Sequence, residues 1–268
     1  MKQQFWIEDL TKTHDFSQKD CRDLLWKIME NDWKYEIDKE YEFLFWTKNL
    51  EKLLNQKQNL KKWLWLDVDD TLSSSTEFLF KHFNDIYWNP ENLDHIQMME
   101  KYKKSYYVPF WDEKEMRKML LEMQVNNDII ANIGSMWNVW EIYSDIHEKI
   151  IPISAYISAR SEEIIEWTQI WNQKNNMPNA DYIFLPMWIH PAFWMYWKSK
   201  VLKVLSWKIV WIVDDSKELS SYLNNWNWNM FLFNSKENEL NAENLTVCEN
   251  LESVKYHVTN KYGISWKN

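Results

Sequence analysis

The sequence predicts an α/β fold, a parallel sheet with crossover helices, carrying an all-helical insertion behind its first strand. Two patterns carry that expectation. From residue 152 onward, short apolar runs (IPISAYIS, DYIFLP, KIVWIV, MFLFN) alternate with helical stretches such as EEIIEWTQIWNQKN and KSKVLKVL. Strands alternating with helices of this length build parallel sheets. Upstream, KKWLWLDVDDTL is an apolar run that ends in acids, the mark of a buried strand stopping at a loop.

The elements follow in order. Residues 1–60 are polar, and CRDLLWKIME and KNLEKLLNQKQNLKK place apolar residues at helical spacing. We read them as an N-terminal helical extension without chemistry of its own. Residues 61–72 hold the first strand and its acidic loop. Residues 73–150 form the helical insertion, with TEFLFKHFNDIY, EKEMRKMLLEM and MWNVWEIYSDIHEKI as helices and Ser73 to Ser75 as a candidate hinge. Residues 151–268 complete the core, ending in the strand NLTVC and the helix LESVKYHVTNKY.

Composition bounds the function. At 268 residues, 46% apolar and 26% charged, the chain is long enough and apolar enough to bury a sizeable core. A net charge of -9 argues against a nucleic-acid polymer as partner, because phosphate neutralisation needs clustered positive charge. No apolar run approaches the roughly 18–20 residues that span a bilayer, and MKQQFWIEDL does not read as a signal peptide, so no membrane partner is expected. Two cysteines, Cys21 and Cys248, make no disulfide framework, and a reducing cytoplasm is the expected location. The oligomeric state is left open.

One ratio is abnormal. About 7% glycine is usual, yet the chain has 2 glycines beside 20 tryptophans. Trp226 and Trp228 lie in an asparagine-rich turn, and Trp88 and Trp207 sit at junctions where glycine is the usual choice. We therefore read many of these codons as UGA, translated here as tryptophan where the source reads glycine. Trp111 and Trp171 look ordinary. Twenty UGG codons would refute the reading.

In open parallel sheets, ligands bind at the carboxyl ends of the strands. The sequence puts Asp67, Asp69, Asp70 and Thr71 there after the first strand, Ser158 after the second, and Asp214 and Asp215 after the fourth. A helix opens near Lys198. Crowded carboxylates repel unless a cation sits among them, and hard oxygen ligands suit Mg²⁺. With Mg²⁺ and Lys198, such an edge attracts a phosphate oxyanion. His95, His147 and His190 lack metal-ligand spacing, and Cys21 has no partner base.

The series DVDDTL from Asp67, then Ser158, then Lys198, then IVDDS resembles the four ordered motifs of the haloacid dehalogenase-like (HAD) hydrolase superfamily. The likeness runs from residue 63 to about 250. Two positions depart from the commonest pattern: Asp70 where glycine is frequent, and Ser158 for threonine. The resemblance implies a Rossmann-like three-layer core with an inserted helical cap, belonging to the phosphatase branch. It implies Asp67 as nucleophile, Asp69 as general acid and base, and Ser158 and Lys198 as phosphate-binding residues. Mg²⁺ is then held by Asp67, the backbone carbonyl of Asp69, and Asp214 or Asp215. Lys200 competes with Lys198, Asp70 reads as a loop cap, and Arg160 as a loop organiser or substrate contact. The implied activity is hydrolysis of a small phosphorylated metabolite; a 5'-nucleotidase-like phosphatase and a catalytically silent HAD-like binding protein are the alternatives. KIVWIVDDSKEL also resembles the opening of a receiver domain, which is not expected here, because it would leave the first acidic cluster unexplained and needs more residues than follow Lys208.

Overall fold

A computed structural model describes residues 63–123, 126–186, 194–205, 209–221, 229–234 and 244–262. The expected N-terminal extension, Cys21, His190, Trp207, Trp226 and Trp228 lie outside these residues.

Among the described residues, six strands form one sheet: β1 (Trp63–Asp67), β2 (Ile153–Ser161), β3 (Asp181–Leu185), β4 (Ile209–Asp214), β5 (Asn229–Phe233) and β6 (Leu245–Cys248). Their order is β3-β2-β1-β4-β5-β6, and every neighbouring pair is parallel. Alternation along the strands explains why both faces are covered. Leu64, Leu66, Val213, Phe231 and Phe233 belong to one core cluster, while Trp65, Ile212, Met230 and Leu232 belong to a second. A strand buried on both faces needs this near-continuous apolar sequence.

Helix α1 (Ser75–Ile86) opens the insertion, followed by α2 (His95–Tyr102), α3 (Glu113–Met123) and α4 (Asn127–Asn132). Leu79, Phe80, Phe83, Met98, Trp111 and Ile130 join in a third core, to which Ile164, beyond β2, also belongs. The chain leaves and rejoins the sheet at a hydrogen-bonded stem. Ser74 N donates to the Gly134 carbonyl and Met136 N to that of Leu72, each at 2.8 Å, and Ser73 pairs with Ser135. The segment expected as a hinge is thus tied to its returning partner.

Helix α5 (Val139–Lys149) behaves differently from the helices before it. Its buried Val139, Ile142, Tyr143 and Ile146 share the first sheet cluster with Leu64, Leu66, Val254 and Val258. It therefore packs on the sheet, although the sequence pattern groups it with the insertion. Helix α6 (Ile165–Lys174) lies on that face through Trp171. Helix α7 (Trp194–Val204) covers the opposite face through Met195, Trp197, Val201 and Leu202, joined by Leu219 of the short α8 (Lys217–Ser221). Helix α9 (Leu251–Tyr262) closes the described chain. No helix among the described residues is long and apolar enough to cross a membrane.

Positive φ angles occur at Asp70, Asn92, Lys103, Asn138, Asn176 and Asn234, and at no described tryptophan. The described backbone thus requires glycine at none of them. The indoles are not equally well placed. Trp171 Nε1 donates to the Ile133 carbonyl at 2.8 Å. The buried Nε1 atoms of Trp65 and Trp111 have no hydrogen-bond partner among the described residues, a cost of about 1–3 kcal/mol each. Trp211 stacks on Phe231, centroids 4.2 Å apart.

Candidate active site

The strand order reverses direction at β1, whose neighbours are β2 and β4. That switch point is where open α/β sheets form a crevice beyond the strand ends. Asp67 is the last residue of β1 and Asp214 the last of β4.

Beyond β1 the chain folds on itself at once. Leu72 N and Ser73 N both donate to the Val68 carbonyl, at 2.9 and 3.0 Å, and Asp70 N donates to the Ser73 carbonyl at 2.9 Å. The turn requires a left-handed residue, Asp70 at φ 56°, a conformation that aspartate tolerates better than most side chains. The Asp70 carboxylate accepts from Thr76 N at 2.7 Å and from Thr76 Oγ1. Asp70 caps the first turn of α1.

Two charge groups converge on this turn. In the first, Lys198 on α7 reaches under the sheet edge, its side chain 1% exposed. Its Nζ bridges Asp67 Oδ1 and Asp214 Oδ2, the latter at 2.5 Å. Asp214 Oδ1 also accepts from Ser216 N at 2.9 Å. Burial foremost raises the Asp67 carboxyl to about 8; the Lys198 charge opposes this, and Asp214 and Asp69 add to it. Burial likewise raises Asp215, helped by Asp67, Asp70 and Asp214. For Lys198 burial acts downward, but Asp214 and Asp67 outweigh it, and the ammonium is held charged above its ordinary range.

In the second group, Asp69 receives Arg160 Nε at 3.1 Å on both oxygens and Arg160 Nη2 at 2.7 Å on Oδ1. Ser75 Oγ donates to Oδ1 at 2.6 Å and Ser158 Oγ to Oδ2 at 3.1 Å. Burial works to raise the Asp69 carboxyl, yet Arg160 and these hydroxyls overcome it and hold the group below the ordinary carboxylate range.

Asp67, Asp214 and Asp215 each offer a carboxylate oxygen, all within 4.8 Å of one another. Ionised together, the three carboxylates would outnumber the one ammonium, and three hard oxygens suit a divalent cation of the Mg²⁺ class. The donor set fits.

The fold thus gathers Asp67, Lys198, Asp214 and Asp215 into one cluster, and Asp69 with Ser158 into an adjoining one. Lys200 is half-buried on α7, two residues beyond Lys198. Sequence reasoning missed the contribution of Ser73 and Ser75 to Asp69; three consecutive serines directly after an acidic loop were the available signal. His95 Nε2 lies 3.7 Å from Glu77 Oε1, and His147 Nδ1 accepts from Ile153 N at 3.0 Å, both in structural settings.

No protein-family profile and no curated protein matches the chain. Among solved structures, the fold is similar to a HAD-superfamily hydrolase, subfamily IA, variant 1, from Geobacter sulfurreducens PCA. The identity is 10% and the TM-score 0.44, and the match covers 73% of this chain and 95% of the other.

Proposed function

We propose that the protein is a Mg²⁺-dependent phosphomonoester hydrolase of the HAD-like kind, acting on a small phosphorylated metabolite through an aspartyl-phosphate. The observation that supports it most is the pairing at the switch point: a buried carboxylate, Asp67, bridged by Lys198 to Asp214, and two residues on a second carboxylate beside Ser158.

Asp69, ionised beside Arg160 before substrate arrives, takes up the proton that the phosphomonoester monoanion brings; Asp67 Oδ then bonds to phosphorus as the bond to the leaving oxygen breaks, and Asp69 passes that proton to the leaving oxygen. Water then bonds to phosphorus, its proton passes to Asp69, and the bond from phosphorus to Asp67 breaks, releasing phosphate. Ser158 donates a hydrogen bond to the phosphoryl group, and Lys198 offsets its charge. Mg²⁺ is to be held by Asp67, Asp214 or Asp215 and the Asp69 carbonyl; when bound it adds positive charge against the phosphoryl oxygens. The α1–α4 insertion rises from the stem next to Asp69 and serves as a cap that selects the leaving group.

The test is phosphate release from a panel of small phosphomonoesters. Release that requires Mg²⁺ and disappears in Asp67→Asn is the expected result. Release that survives the substitution removes Asp67 as nucleophile, and a folded protein without release removes the hydrolase.

A further inference from the structure

We propose that Arg160 is a positioning residue for this reaction: it anchors Asp69 mainly through Oδ1, so that Oδ2 is presented beside Ser158. The inference rests on the hydrolase reading above and assigns a role that the motif residues do not include.

Arg160 follows Ser158 by two residues on β2 and is 2% exposed. Its guanidinium is committed to side chains of the turn after β1 and of α6. Nε and Nη2 go to Asp69, Nη2 also to Ser73 Oγ at 3.0 Å, and Nη1 to Thr168 Oγ1 at 3.4 Å. An arginine that clamps a phosphate instead aims its fork at the ligand. The load on Asp69 is also unequal. Oδ1 accepts from Arg160 Nε and Nη2, Ser75 Oγ at 2.6 Å and Ser73 Oγ at 3.4 Å. Among the described residues, Oδ2 accepts only from Arg160 Nε and Ser158 Oγ, both at 3.1 Å. The less burdened oxygen is therefore the one next to the hydroxyl assigned to the phosphoryl group. Arg160 N also donates to Ser158 Oγ at 3.0 Å, so one residue orients both the acid and the hydroxyl. A planar guanidinium can fix a carboxylate in rotation as well as in place.

Two size-matched substrates separate this role from the others. 4-Nitrophenyl phosphate has a leaving group that departs without a proton, and 4-nitrobenzyl phosphate has one that needs it. In rapid mixing, Arg160→Gln should release about one nitrophenolate per protein in a burst, then turn over about 100-fold more slowly than wild type, because the water step still needs Asp69. With the benzyl ester the burst should be absent and the loss at least about as large. KM should stay within about threefold for both, as expected when only transition-state interactions are lost. Arg160→Lys, which keeps the charge but not the fork, should restore part of the rate; should Arg160→Gln not fold, it carries the test through the same burst. A uniform rise in KM with kcat retained would overturn the proposal in favour of direct phosphate binding. An equal loss on both esters without a burst would overturn it in favour of a merely structural arginine. Should the wild type release no phosphate from either ester in an Asp67-dependent way, the hydrolase reading itself fails.

Discussion

Lys198 shows how much a single side chain can settle at the residue scale. It is buried between Asp67 and Asp214, and without it two carboxylates face each other with no protein cation between them. Breaking a buried ion pair by removing one partner costs about 3–5 kcal/mol. Lys198→Met should therefore lower the unfolding free energy measured by urea titration by about 3–5 kcal/mol as well as abolish phosphate release. Lys200→Met should change stability by less than about 1 kcal/mol, the ordinary range for lysines near the surface, and leave release intact. Equal losses from the two substitutions would undo the distinction between them. The spacing of KSK in the sequence leaves both lysines open; burial separates them.

Helix α5 and strand β2 are joined by a contact whose pH dependence follows at the element scale. His147, near the end of α5, accepts the Ile153 N–H at the start of β2 through Nδ1, which requires an unprotonated nitrogen there. Burial lowers its affinity for protons, with Glu148 opposing in part. The folded state thus binds fewer protons than the unfolded chain, whose histidine titrates near about 6.5. Its contribution is complete above that pH and is lost as pH falls through the folded value. One hydrogen bond is worth about 1 kcal/mol, so melting scans should show a loss of about 2–4 °C between neutral and mildly acidic pH. That component should be missing in His147→Asn, and an identical pH slope in both proteins would show that His147 does not carry it. The elements themselves were unequally legible. The six strands and the long helices follow from periodicity, within a residue or two at most ends. Helix α2 was passed over although DHIQ forms a capping box, with Gln97 N donating to Asp94 and Asp94 N to Gln97 at 2.8 and 3.0 Å. Helices α4 and α8, of 6 and 5 residues, are too short to show a period. Helix α5 was readable as a helix, but its partner α9 lies more than 100 residues away, and no local pattern reveals that it packs on the sheet.

The whole molecule matters because the candidate metal site exists only in the assembled sheet. Asp67 ends β1 and Asp214 ends β4, strands that are neighbours in space and separated in sequence by the insertion, β2 and β3. The acids were legible because each sits in a short string behind an apolar strand. The Arg160–Asp69 pair was not, since its members are 91 residues apart and only the β1–β2 register brings them together. An ion that binds such a site binds the folded state alone and so stabilises it by mass action. At 100 times its dissociation constant Mg²⁺ should add about 2.7 kcal/mol, or roughly 5–10 °C in melting temperature at about 2–4 °C per kcal/mol. A chelator should reverse the rise. Asp214→Asn, which removes one of the three convergent carboxylates, should weaken it by at least about tenfold in Mg²⁺ concentration, a 1.4 kcal/mol change in binding. A melting temperature indifferent to Mg²⁺ would mean that the cluster holds its charge with Lys198 and shared protons alone, and the cation would have to be withdrawn from the proposed reaction.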